Sequence, residues 1–204
     1  KLKLLELSKR NAYSYKLEKI KRNTARKTSD SSERILKSVQ ADFRLNELPR
    51  HIECFDNSNM QGSDPVAACV VFKNGKPQKK EYRHYNIKGV KGIDDFASMK
   101  EVVFRRYNRL LEENQSLPQL IVVDGGKGQL SAALSSLESL QLRGRIAIVG
   151  IAKKLEEIYF PDDAVPLYID KNSESLKLIQ HLRNEAHRFG ISFHRQKRSG
   201  SMTS

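Results

Sequence analysis

The run Leu120-Ile121-Val122-Val123, closed by Asp124 and followed at once by Gly125-Gly126-Lys127-Gly128-Gln129, constrains the fold more than any other segment. A short apolar run bounded by glycines is a buried strand. Its aspartate therefore sits where a central strand leaves the sheet, a common position for a site in an open α/β sheet. A second aspartate has a similar setting: His51-Ile52-Glu53-Cys54-Phe55-Asp56 ends an expected strand before the polar stretch Asn57-Ser58-Asn59. For any one strand-end aspartate, the plainer role is to cap the turn that follows. Two of them in a strongly basic chain suggest a metal site that works on a polyanion.

The charge is what makes a polyanion the natural partner. Among 204 residues, 37 are Lys or Arg against 24 Asp or Glu, a formal charge of +13. Such an excess favours nucleic acid, with an anionic membrane surface as the lesser option. No apolar stretch approaches the roughly 20 residues needed to span a bilayer. The beginning, Lys1-Leu2-Lys3-Leu4-Leu5-Glu6-Leu7, has no small-residue cleavage site, so a signal peptide is not expected either. Cys54 and Cys69 fall in apolar runs without metal-ligand spacing. Buried reduced thiols in a cytoplasmic protein are the expectation, although two adjacent strands would be able to bring them together. The abrupt beginning inside a helical pattern and the ragged Ser199–Ser204 end read as a piece of a longer protein.

Residues 1–46 are rich in Lys, Arg, Ser and Asn, with apolar positions thinly spread. They are expected to form a helical connector outside the core, partly disordered, with a polar break from Thr24 through Ser32. Residues 47–198 are the expected domain and 199–204 a disordered tail. Within the domain, strands are expected at His51–Asp56, Val66–Phe72 and Lys79–Ile87, the last two joined by a hairpin at Asn74-Gly75. A helix then begins near Asp94 or Asp95 and carries Phe96, Met99, Val102, Val103, Tyr107 and Leu110 at helical spacing. The Asp124 strand, a helix through Leu130, Ala133 and Leu137, a strand over Ile146–Ile151, a short β excursion between Ile158 and Ile169, and a last helix from about Ser173 complete the order. Three hairpin-joined antiparallel strands followed by crossover-joined parallel strands, flanked by helices, make an α/β mixed sheet of the ribonuclease H type.

In that topology the first strand pairs with the strand after the first helix, so Asp56 and Asp124 approach each other. The last helix packs against the same end and would present His187. Two carboxylates suit a hard cation such as Mg²⁺ or Mn²⁺, which can activate water and stabilise the leaving oxygen of a phosphodiester. A histidine beside them would serve as a ligand or move a proton. A third carboxylate is either Asp94 or Asp95, both of which also fit a capping role at a helix N-terminus, and Glu101 is a further candidate. Lys127, Arg188, Arg195, Lys197 and Arg198 suit phosphate contacts. The glycine segment is not a P-loop, because no Ser or Thr follows Gly126-Lys127, and Ser131 breaks the dinucleotide fingerprint.

Four segments carry a resemblance: Glu53-Cys54-Phe55-Asp56-Asn57-Ser58, Asp94-Asp95-Phe96-Ala97-Ser98-Met99, Val123-Asp124-Gly125-Gly126-Lys127-Gly128-Gln129 and Glu185-Ala186-His187-Arg188-Phe189. In this order they resemble the signature segments of the UvrC family, the nuclease subunits of bacterial nucleotide excision repair, over roughly Leu48–Arg198. The resemblance implies a ribonuclease H-like, divalent-metal-dependent endonuclease domain that cuts damaged duplex DNA 5′ to a lesion. It implies Asp56, Asp124 and His187 as the catalytic set, the aspartates holding the metal, with Asp95 or its neighbour Asp94 as a further acid. It also implies a helicase partner, UvrB, bound through a segment outside this chain. The family's GIY-YIG nuclease and helix-hairpin-helix pair are likewise outside it. Asn59 stands where many relatives have His, and Asn184 where the family usually has Asp. The competing expectations are a stand-alone endonuclease V-like nuclease and a non-catalytic DNA-binding scaffold.

Overall fold

Strand β1 (His51–Ser58) has a partner on each side. It pairs antiparallel with β2 (Val66–Lys73), Phe55 opposite Cys69, and parallel with β5 (Leu120–Asp124), Phe55 opposite Val123. The computed structural model describes residues 2–58, 66–87, 94–152 and 157–201, the side chains at 2–9, 22–28, 58 and 193–201 excepted. After β2 the chain reverses through Asn74 and Gly75, at φ 52° and 73°. Two successive positive φ values are the mark of the tight hairpin turn whose twist matches the strands. β3 (Lys76–Pro77) and β4 (Arg83–Asn86) then pair with different halves of β2. β6 (Ala147–Ile151) lies parallel to β5, and β7 (Ile158–Tyr159) antiparallel to β6. The sheet of seven strands runs β3-β2-β1-β5-β6-β7, with β4 beside β2. This is the mixed ribonuclease H-like sheet expected from the order of elements.

One strand departs from expectation. The third strand, expected over Lys79–Ile87, is divided, because Lys79–Glu81 wind into a single 3-10 turn between β3 and β4. Pro77 has no N–H to give to a ladder and belongs on such an edge.

Alternation along the strands sorts side chains onto two faces. Ile52, Cys54, Leu120 and Val122 pack with α1 (Leu2–Asp42) and α4 (Glu174–Ser201). Phe55, Ile121 and Val123 pack with α2 (Asp95–Glu112) and α3 (Lys127–Ser139). Cys54 and Cys69 belong to opposite faces and are both free, so the strands do not bring them together. No helix among the described residues is long and apolar enough to cross a membrane.

The N-terminal segment is more ordered than its composition implies. α1 runs through the expected break at Thr24–Ser32, since residues 2–42 contain neither Gly nor Pro and polar side chains alone do not stop a helix. Its first half exposes Tyr13, Tyr15, Leu17 and Ile20. Its second half and the turn after it enter the core: Leu36, Val39 and Phe43 are at most 1% exposed, which corrects the reading of this whole segment as an appendage. Arg34 fastens it to α4 through two hydrogen bonds to Glu174, at 2.6 and 3.0 Å. At the other end, α4 continues to Ser201, into the expected tail, while residues 202–204 lie outside the described ones.

Each of those three buried side chains contributes on the order of 1.5–3 kcal/mol, against a total stability of about 5–15 kcal/mol for a domain. Removing residues 1–28 is therefore expected to leave a cooperative thermal transition, and removing residues 1–45 to abolish it. Circular dichroism melts of the two truncations check this, and an equally cooperative melt for the longer deletion would show the packing to be dispensable.

Candidate active site

Asp56 and Asp124 each follow the last residue of the pair Phe55–Val123, so they leave the sheet side by side. By strand alternation they share the face of Cys54 and Val122, which is the face covered by α4. Both are buried, at 1% and 4% exposure. α4 lays Leu176, Ile179, Leu182 and Ala186 on that face, which brings the next residue, His187, to the strand ends. Its Nδ1 lies 2.9 Å from Asp56 Oδ2. One ligand atom from each of Asp56, Asp124 and His187 lies within 4.8 Å of the others, a grouping that would hold a metal ion. The structure thus brings together the three residues singled out from sequence.

The turn bearing His187 is held on both sides of that residue. Tyr82 donates its hydroxyl to Glu185 Oε1 at 3.2 Å. The His84 ring stacks on Phe189 with centroids 3.7 Å apart, and Tyr82 meets the same ring edge-on at 5.1 Å. Burial, reinforced by the Glu185 carboxylate, pushes the Tyr82 hydroxyl far above its ordinary pKa, so it stays a donor.

The remaining expected residues are placed differently. Asp94 caps α2, its Oδ1 accepting from the Phe96 and Ala97 N–H groups at 3.0 Å each. Asp95 opens the same helix outside the three-residue grouping, with its backbone carbonyl accepting from Asn57 Nδ2 at 2.8 Å. That bond ties the start of α2 to the residue after Asp56. Glu101 pairs with Arg105 one turn along, at 2.9 Å. Lys127 donates to the Ala164 carbonyl and lies 5.5 Å from the centre of the Tyr159 ring, so it braces a loop. Arg188 is held by Glu185 at 2.7 and 2.8 Å. The side chains of Arg195, Lys197 and Arg198, and Asn59 altogether, lie outside the described residues.

Comparison with known proteins gives this geometry a family. Residues 40–191 match the family described as the UvrC RNAse H endonuclease domain. The chain belongs to the UvrC family. UvrABC system protein C of Flavobacterium johnsoniae is 63% identical over 199 residues, 98% of this chain and 33% of that protein. The Porphyromonas gingivalis protein of the same name is 60% identical over the same shares. The chain thus spans about a third of the length of the curated relatives it matches. Among solved structures, a Ciona intestinalis endonuclease V in complex with inosine-containing DNA is 20% identical, with a TM-score of 0.40 over 82% of this chain and 69% of that one. Human endonuclease V is 13% identical, with a TM-score of 0.41 over 81% and 99%.

One member of the UvrC-like segment around Asp56 plays a part that the sequence did not reveal. Glu53 is fully buried on the opposite face of β1. Arg106 of α2 reaches it with two hydrogen bonds, at 2.6 and 3.2 Å. The Tyr107 hydroxyl donates to it at 2.9 Å, and His51 Nε2 lies 3.1 Å away. Burial alone would raise the carboxyl's pKa, but the His51 hydrogen bond and the Arg106 charge outweigh burial and hold it at about 2, against an ordinary 4.5. The cluster clamps α2 to β1, three residues before the strand delivers Asp56 and four before Asn57. Arg and Tyr more than fifty positions away leave no local pattern around Glu53; an acid inside an apolar strand was the only signal.

Glu53→Gln leaves the Arg106 charge buried without its counter-ion, so a loss on the order of 3–5 kcal/mol is expected by denaturant unfolding. The carboxyl's folded-state pKa lies below its unfolded value, so its stabilisation is complete above about pH 4.5 and lost as pH falls towards 2. Melting temperature should therefore fall more steeply over that range for the unsubstituted chain than for the variant. Parallel slopes would remove the clamp from the account.

Proposed function

We propose that this chain is the divalent-metal-dependent endonuclease domain of an excision-repair nuclease subunit, making the incision 5′ to a lesion in duplex DNA. The observation that carries the reading is the grouping of His187 with the buried Asp56 and Asp124 in a chain of the UvrC family. Its donor set is rich in carboxylate oxygen, which fits Mg²⁺ or Mn²⁺ better than a soft metal. Asp56 and Asp124 would hold the ion. When bound, it would supply Lewis-acid stabilisation of charge on the phosphodiester oxygens and lower the pKa of a water.

The protein's own groups divide the remaining work. His187 has Nδ1 engaged by Asp56, and its side chain is half exposed. Nε2 would then accept a proton from the attacking water or return one to the departing sugar oxygen. Asp56 has a second task in this reading, holding the imidazole in one tautomer and orientation. Tyr82, His84, Glu185 and Phe189 keep the ring in place, and Asp95 stands by as a further acid at the start of α2. The excess of basic side chains, Arg188, Arg195, Lys197 and Arg198 among them, would draw in the phosphate backbone. Recruitment to damage would run through UvrB, bound by a part of the protein outside this chain.

The test is incision of a lesion-bearing duplex by the full-length protein with its repair partners. Asp56→Ala and Asp124→Ala should each abolish the 5′ cut and weaken Mn²⁺ binding, while the 3′ cut persists. His187→Ala should slow the 5′ cut by about 10²–10⁴-fold with less effect on Mn²⁺ affinity. Chelation should stop the reaction and added Mn²⁺ restore it. Unimpaired 5′ cutting by the Asp124 variant would refute the reading.

A further inference from the structure

Phe96 is 56% exposed, beside the proposed active site. A single exposed phenylalanine needs no explanation in itself. This one is fixed by the backbone around it. Its N–H is bonded at 3.0 Å by the Asp94 cap. The carbonyl of the preceding residue is held at 2.8 Å by Asn57. On its other side the ring edge presses against the first turn of α3, where a Cβ at Gly128 would come within 2.5 Å of Phe96 Cε1 and 2.7 Å of Cζ. Glycine at 128 is thus what leaves room for the ring in this position.

The ring forms one wall of a hollow of about 440 Å³ that is also lined by Asp124, Gly125, Gly126 and Gln129. Among the described residues, no cationic side chain lines that hollow. At Gly126, where nothing lies within 4 Å of an added Cβ, a flat group can approach the backbone closely, and the aromatic wall gives it a surface to stack on. In a chain of charge +13, the polyanion brought to Asp124 carries flat groups of one kind, its bases. Aromatic stacking on a base is also indifferent to which base it is, as suits a nuclease that cuts where damage lies and not at a sequence.

We infer that Phe96 is a substrate-positioning residue that stacks on an unstacked nucleobase of the cut strand, next to the scissile phosphate. The inference rests on the proposed nuclease reading and adds to it a nucleotide drawn out of the base stack. Phe96 takes no part in bond making. Its contribution is to hold the strand while Asp56, Asp124 and His187 act.

The test uses the full-length protein with its repair partners on lesion-bearing duplexes with 5-iodouracil placed in turn at each nucleotide flanking the 5′ cut. Irradiation should cross-link one of these positions to the peptide containing Phe96. Asp56→Ala should keep the cross-link while losing the cut, which separates stacking from catalysis. Phe96→Leu, which retains an apolar side chain over Gly128, should lose the cross-link and raise KM roughly tenfold with kcat little changed. Phe96→Tyr should behave as the unsubstituted protein. A cross-link at Phe96 without any 5′ incision would defeat the nuclease reading and leave the stack standing. Normal incision with no cross-link at Phe96, or an unchanged KM for Phe96→Leu, would overturn the stack.

Discussion

The parallel pairing of β1 with β5 sets two carboxylates at the same level of the sheet, and the rest of the site is arranged around that juxtaposition. With Phe55 beside Val123 in register, Asp56 and Asp124 have to emerge next to each other on the side facing α4. A slip of one residue would turn either aspartate to the opposite face. Such a slip would also carry Glu53 away from Arg106 and Tyr107 on the α2 side and bury its carboxylate, unpaired, in the apolar core on the α4 side. Position at the strand ends is thus tied to the seating of Glu53 on the opposite face.

That arrangement is costly unless a cation joins it. Two like charges with ligand atoms at most 4.8 Å apart repel by about 3–4 kcal/mol at an effective dielectric constant near 20. Burial at 1% and 4% exposure keeps water from relieving the repulsion. The fold tolerates this because it is anchored elsewhere. On the face away from the site, Arg106 and Tyr107 clamp α2 to Glu53. On the near face, Tyr82, His84 and Phe189 fix the turn that presents His187. The strained centre lies between two well-satisfied polar and aromatic clusters, as is common where function costs stability.

Much of this was legible in the sequence, and the exceptions have physical reasons. The hairpin was readable because Asn74-Gly75 is suited to two consecutive positive φ values. The strands were readable because Leu120–Val123 and Val66–Phe72 leave no periodic alternative. The proximity of Asp56 to Asp124 followed from the order of elements. What failed was inference from polarity: α1 was divided on paper because Thr24–Ser32 is hydrophilic, yet it contains no residue that breaks a helix. Its last turns were assigned to a connector because Leu36, Val39 and Phe43 form too thin a stripe to suggest burial, but three large side chains suffice when α4 supplies the other wall. Glu53 and Phe96 depend on partners distant in sequence, and neither has a local pattern that announces its setting.

The claim on which the account rests is that Asp56 and Asp124 together hold a divalent cation. Anomalous diffraction from crystals of this chain soaked in Mn²⁺ tests it most directly. The account predicts a peak at coordination distance, about 2.1 Å, from a carboxylate oxygen of each aspartate, and no peak there in Asp124→Asn crystals. A pair of aspartates that stays free of ion at saturating Mn²⁺ would contradict it.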